Sequence, residues 1–173
     1  MHPHDRAEPL VPEAMRAWHG GAGGWGDVTD VNSRSIGIEL ANPGDTPFPN
    51  AQMVSLERLL SEAMARWGIP PARVIAHSDM APTRKRDPGP RFDWRRLARC
   101  GLSVWPGPDG DPQADFTRSA QVFGYPGAPH AALLAAFRLR FRPWAAGPEE
   151  AGDRAAMSDL ARRFPVDGAR SGA

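Results

Sequence analysis

The chain has 173 residues, enough for one ordinary domain or for a domain of about 100 residues with a small second one. Its 21 basic and 20 acidic residues give a formal net charge of +1, so its composition indicates no nucleic-acid partner and no anionic membrane surface. A single cysteine, Cys100, excludes an intramolecular disulfide and a multi-cysteine zinc site. No stretch approaches the roughly 20 apolar residues that cross a bilayer, so we expect no membrane-spanning segment.

The first predicted elements are a loop and a strand. Residues 1–34 show little periodicity and contain a glycine-rich run at 20–24, which predicts an irregular loop. Residues 35–40, SIGIEL, then alternate between apolar and other side chains, which predicts a strand with one apolar face. On this strand Glu39 is expected to point away from the core.

The next elements complete the predicted sheet. Segment 51–67 carries apolar residues at three- and four-residue spacing, so we predict an amphipathic helix that ends at Gly68. Residues 73–76, RVIA, predict a short buried strand whose end delivers His77 into a loop rich in proline and glycine. Together these elements predict a mixed α/β fold in which a central β sheet is flanked by helices.

The last third of the chain has a helical pattern. Asp93 is placed to cap a short helix over residues 94–100, and the turn-rich stretch 104–112 then interrupts the pattern. Three amphipathic segments between residues 113 and 164 predict a small three-helix module. We therefore predict two domains, over residues 1–106 and 113–166, and we expect a monomer.

The segment from His77 to Asp87 is the most informative part of the sequence. A catalytic zinc site uses three protein ligands and leaves one position to water, and His77 and Asp87 could supply two of the three. Lys85 precedes Asp87 by two residues, which in extended backbone puts both side chains on one face. On spacing alone, a capped turn with a surface charge is the commoner interpretation, and Glu39 on a polar strand face is usually just solvated.

A family resemblance changes this balance. The stretch SIGIELANPG, taken with AHSDMAPTRKRDPGPRFDW, resembles the zinc-site segment of the type 2 N-acetylmuramoyl-L-alanine amidases, the family that also resembles the peptidoglycan recognition proteins. RAWHGG, at residues 16–21, resembles a further motif of that family. The resemblance covers roughly residues 10–106.

The resemblance implies specific roles for four residues. His77 and Asp87 would bind Zn²⁺, and Glu39 would be the general base that takes a proton from the attacking water. Lys85 would stabilise the oxyanion that forms on the amide carbonyl. The implied reaction is hydrolysis of the amide bond between N-acetylmuramic acid, or its anhydro form, and L-alanine, with peptidoglycan or muropeptides as substrate.

Other implied roles are less sharply defined. Trp18 and His19 correspond to family positions near the substrate groove and are candidate substrate-binding residues. The helical segment 113–166 resembles a small peptidoglycan-binding-like domain, although an appendage that only stabilises the catalytic domain fits its pattern equally well. A cytoplasmic and a periplasmic location both remain open.

The sequence departs from the family at the third zinc ligand. The family takes this ligand from a strand-borne His-Tyr-Thr-like motif upstream of the RAWHGG segment, and this sequence contains no such motif. The resemblance is therefore to an N-terminally truncated member of the family. His2 or His4 could in principle substitute, but their segment has no strand pattern to hold an imidazole in place. We therefore expect weak zinc binding and little hydrolysis, and the alternative function is that of a catalytically impaired fragment or a peptidoglycan-binding protein of the same fold.

Overall fold

The computed structural model of the chain describes residues 7–166. His2 and His4, the candidate substitutes for a third ligand, lie outside this range. Six α-helices follow one another in the described range: α1 Asn50–Trp67, α2 His77–Met80, α3 Trp94–Arg99, α4 Phe116–Phe123, α5 His130–Phe141 and α6 Ala151–Arg163. Two short 3-10 turns, Val31–Ser33 and Pro71–Arg73, precede α1 and α2 respectively. No helix within residues 7–166 has the length and hydropathy needed to cross a bilayer.

Helix α1 confirms the amphipathic pattern of its sequence. Met53, Leu56 and Leu60 are buried because their three- and four-residue spacing puts them on one face. This face packs in a common apolar cluster with Phe92 and Trp94, which lie just before and at the start of α3. Gly68 ends the helix in the left-handed conformation, with φ of 64° and its N–H bonded to the Met64 carbonyl.

The helices of the C-terminal third are also confirmed. Asp93 caps α3 as predicted, because its carboxylate accepts a hydrogen bond of 2.9 Å from the Arg96 N–H. Helices α4, α5 and α6 enclose an apolar core that also takes in Trp25 from the N-terminal region. The Trp25 ring meets Phe123 edge-on with a centroid separation of 5.3 Å. The helical region therefore shares packed surface with the rest of the chain, while the two-domain division remains a prediction.

The predicted central β sheet is wrong for the part of the chain that the structure describes. That part contains a single isolated bridge, between Trp25 and Val28, and no strand. Alternation of side chains is not sufficient for a strand, because the backbone must also form hydrogen bonds with a neighbouring strand. Between residues 7 and 166, the backbone of 35–40 makes no hydrogen bond to another backbone group. Of the second predicted strand, 73–76, the first residue belongs to the 3-10 turn Pro71–Arg73 and the other three form no strand. His77, which was expected in a loop, is the first residue of α2.

A cavity lies where the sheet was expected. Its volume is about 840 Å³, and it is bordered by residues 34–40 on one side and 73–77 on another. Leu56 and Leu60 of α1 and Phe92 contribute apolar walls. The two segments thus flank an open apolar space, and apart from the buried Ala76 their apolar side chains are only partly buried.

The unpaired segment should be visible in hydrogen exchange. We expect the amides of residues 36–40 to exchange at least about 100-fold faster than those in the middle of α1, because exchange of an unbonded amide requires no opening step. Amide exchange followed by ¹H–¹⁵N NMR measures this directly. Strong protection of residues 36–40 would contradict the assignment and would reveal a backbone partner from outside the described range or from a second copy.

Candidate active site

The structure brings His77 and Asp87 into direct contact. His77 opens α2, and the following loop turns back so that the Ser78 N–H donates to the Asp87 carbonyl oxygen at 3.2 Å. His77 Nδ1 and Asp87 Oδ2 are 2.5 Å apart, a hydrogen-bonding distance. The His77 side chain is 16% exposed and that of Asp87 is 51% exposed. An imidazole nitrogen and a carboxylate oxygen therefore converge at the edge of the cavity.

His19 lies beside this pair. Its ring stacks on that of His77 with centroids 6.0 Å apart and planes inclined by 23°. The Ser35 hydroxyl donates to the Val31 carbonyl at 2.5 Å, so the His19 Nε2 atom, 3.1 Å from the Ser35 Oγ, is the donor in their contact. His19 Nδ1 is then an unprotonated acceptor, and it is buried without a hydrogen-bond partner among the described residues. Burial, followed by the charge of His77, lowers the pKa of His19, which agrees with a neutral ring.

The other predicted site residues divide into two groups. Glu39 is exposed and borders the same cavity as His19, His77 and Asp87. Lys85 and Trp18 are not among the described residues that border it. Trp18 is 79% exposed, and the guanidinium of Arg16 lies 4.0 Å from its ring centroid. The structure thus gathers four of the six candidates around one space and leaves two outside its walls.

The donor set for a metal is incomplete in the described range. Within residues 7–166 no group of three His, Cys, Asp or Glu side chains is arranged to hold a metal ion. His77 and Asp87 are chemically suitable for zinc, but a catalytic zinc site takes three protein ligands. These two residues alone therefore do not fit a complete zinc centre.

Two groups that bind the backbone of the glycine-rich loop at 20–24 were not predicted from the sequence. The Arg84 guanidinium donates to the carbonyls of Gly20 and Ala22 at 2.6 and 2.5 Å. Asn32 is buried and accepts a hydrogen bond of 2.9 Å from the Gly20 N–H. Arg84 lies inside the His77–Asp87 segment, but both side chains act on residues far away in the sequence, so no local pattern indicates their role.

Comparison with known families finds one match. The family described as N-acetylmuramoyl-L-alanine amidase matches residues 3–90 of this chain. The amidase AmiD of Escherichia coli K12 is 45% identical over 106 residues, which cover 56% of this chain and 38% of AmiD. The 1,6-anhydro-N-acetylmuramyl-L-alanine amidase AmpD of Enterobacter cloacae is 41% identical over 87 residues, 50% of this chain and 46% of that protein. The chain therefore matches less than half the length of these relatives.

Two of the solved structures that are similar over most of the chain contain a muropeptide. One is E. coli AmiD in complex with the substrate anhydro-N-acetylmuramic acid-L-Ala-D-γ-Glu-L-Lys, with a TM-score of 0.82, 33% identity, and coverage of 90% of this chain and 72% of AmiD. The other is AmpDh3 of Pseudomonas aeruginosa in complex with anhydromuramic pentapeptide, with a TM-score of 0.80, 30% identity, and coverage of 91% and 73%.

The position of His19 can be tested through Gly37. A Cβ at residue 37 would lie 2.4 Å from Cγ and 2.7 Å from Nδ1 of His19, closer than real Cβ contacts. Gly37→Ala should therefore displace the imidazole and alter the NMR shifts of both the His19 and His77 rings. Gly127→Ala is the matched control, because a Cβ there meets no heavy atom within 4 Å. Unchanged His19 and His77 resonances in Gly37→Ala would show that the ring does not occupy this position.

Proposed function

Because this chain belongs to the N-acetylmuramoyl-L-alanine amidase family, we propose that it binds anhydromuramyl peptides and hydrolyses the amide bond between the N-acetylmuramic acid moiety and L-alanine. The observation that supports this most directly is the convergence of His77 and Asp87 at 2.5 Å, inside the family-matched segment and beside a cavity that Glu39 also borders. The anhydro form is favoured because two of the similar solved structures contain anhydromuramyl peptides.

Zinc is the proposed cofactor, with His77 and Asp87 as two of its ligands. Both supply donor atoms that zinc prefers, and the His77 ring is held from one side by the stacked ring of His19. When bound, zinc supplies Lewis-acid polarisation and acidifies water. No third protein ligand joins them among residues 7–166, so it must come from outside the described range or from another molecule.

The proposed proton transfer uses Glu39. Its exposed carboxylate accepts the proton of a water whose oxygen adds to the lactyl carbonyl carbon. The carbon–nitrogen bond then breaks, and Glu39 returns the proton to the nitrogen of L-alanine. Lys85, on the loop that leads into Asp87, is proposed to stabilise the oxyanion by its positive charge, which requires its side chain to turn toward the cavity once substrate is bound.

A second candidate function is binding without cleavage. It is favoured by one observation, the two-membered donor set between residues 7 and 166. In this case the cavity and the exposed Trp18 would hold a muropeptide while the amide bond stays intact. The two candidates differ in a single measurement, release of free peptide from a defined anhydromuramyl tripeptide.

Glu39 is the sharpest test of cleavage. Glu39→Gln keeps the size of the side chain but removes the base, so we expect the rate of peptide release, followed by chromatography in the presence of Zn²⁺, to fall by about 10²- to 10⁴-fold. Glu62→Gln, an exposed position on α1, is the matched control and should retain the wild-type rate.

The outcomes separate the two candidates. Equal rates for Glu39→Gln and the wild-type protein would eliminate Glu39 as the base. If the wild-type protein itself releases no peptide, the cleavage proposal fails, and calorimetric titration with the same tripeptide then decides whether the chain binds it.

A further inference from the structure

A buried carboxylate lies two residues after His77. Asp79 is completely buried and its two oxygens accept three hydrogen bonds. The Ala76 N–H donates to Oδ2 at 2.9 Å, the Tyr125 hydroxyl donates to Oδ1 at 2.7 Å, and Arg140 Nη1 donates to Oδ2 at 2.6 Å. Two of these three donors come from the helical region, across sequence separations of 46 and 61 residues.

Arg140 extends the same network along the backbone before His77. Its Nη2 atom donates to the Val74 carbonyl at 2.9 Å and to the Ser103 hydroxyl at 3.1 Å. The guanidinium lies 4.3 Å from the ring centroid of Trp94, and the side chain is fully buried. Arg140 thus fixes the backbone at Val74 directly, and it fixes the backbone at Ala76 through Asp79.

We propose that Tyr125 and Arg140 are positioning residues for the candidate active site, which they serve by holding the turn that presents His77 to Asp87. This rests on the proposed function of His77 and Asp87 as the reactive pair. The helical region then has a defined role. The Arg140 guanidinium gives the Val74 carbonyl a hydrogen bond that a neighbouring strand would otherwise supply. Arg140 and Tyr125 also donate to the Asp79 carboxylate, which accepts the Ala76 N–H.

The ion pair between Asp79 and Arg140 contributes more to the geometry of the turn than to the free energy of folding. A buried ion pair gains little net stability, because the cost of removing both charges from water offsets their attraction. What the pair provides is direction, since the planar guanidinium reaches its acceptors at fixed angles. Loss of one donor to Asp79 should therefore loosen the turn at His77–Met80 more than it loosens the helical core.

The Ser78 amide is a direct reporter of this turn. It donates to the Asp87 carbonyl, so its hydrogen exchange measures how often the segments that carry His77 and Asp87 separate. Tyr125→Phe removes only the hydroxyl and keeps the ring in the core. We expect the protection factor of the Ser78 amide, measured by NMR without metal or substrate, to fall roughly tenfold or more in this variant.

The control variant lowers stability without touching Asp79. Phe116→Leu thins the same helical core, where Phe116 packs edge-on against Phe137 with centroids 5.3 Å apart. It should lower the melting temperature while leaving the ratio of Ser78 protection to that of the α5 amides at its wild-type value. An equal fall of this ratio in Tyr125→Phe and Phe116→Leu, or an unchanged ratio in Tyr125→Phe, would overturn the proposal.

A second variant addresses Arg140. Arg140→Lys keeps the positive charge beside Asp79 but lacks the fork that reaches Val74 at the same time, so Ser78 protection should again fall while a folded spectrum is retained. Full protection in Arg140→Lys would contradict a positioning role for the guanidinium. Because exchange needs neither zinc nor turnover, its result is independent of whether the wild-type protein hydrolyses the tripeptide.

Discussion

The ion pair between Asp79 and Arg140 is the constraint on which the arrangement of this molecule depends. Both side chains are completely buried, and unpaired charges in that position would be strongly destabilising. Burial, together with the charge of Asp79, raises the pKa of Tyr125 well above its usual value, so its hydroxyl remains a donor. The contacts that Arg140 and Tyr125 make with Asp79 tie α2 to α5 and to the residues before it. His77 is the first residue of α2, so its position depends on the contact that Arg140 of the helical region makes with Asp79.

The last residue of α2 is held by a close approach of the glycine-rich loop. The Gly24 N–H donates to the Met80 carbonyl at 2.9 Å, and a Cβ on Gly23 would lie 2.5 Å from that same oxygen. Only glycine allows this approach. The glycine-rich loop thus serves a packing purpose, since it covers the last residue of α2 while Asp79 anchors the interior. Together the two contacts hold a four-residue helix that could not be stable alone.

Local patterns predicted five of the six α-helices between residues 7 and 166, whereas α2 was expected to be part of a loop. Helix α1, the cap at Asp93 and the three C-terminal helices follow from apolar spacing and turn residues, which act over a few positions. The prediction of a sheet failed because strands pair between segments that are distant in the sequence. The alternation in 35–40 orients side chains but does not supply a backbone partner. The spacing of His77 and Asp87 allowed them to share a site, but only the family resemblance made their convergence the favoured interpretation. Arg140 was unpredictable, because its acceptors on Asp79 and Val74 lie 61 and 66 residues away.

The packing of α5 also bears on what the helical region can do. Its inward face is already occupied: Arg140 reaches Asp79, Phe141 packs into the aromatic core, and Leu133 is fully buried. A surface committed to such contacts has no room for a glycan chain. Any saccharide contact would have to use the outer surface, where Trp144 is 70% exposed on the turn after α5. The two interpretations of this region, as a support and as a glycan-binding module, therefore concern different faces of the same helices, and the inner face is the one that determines where His77 lies.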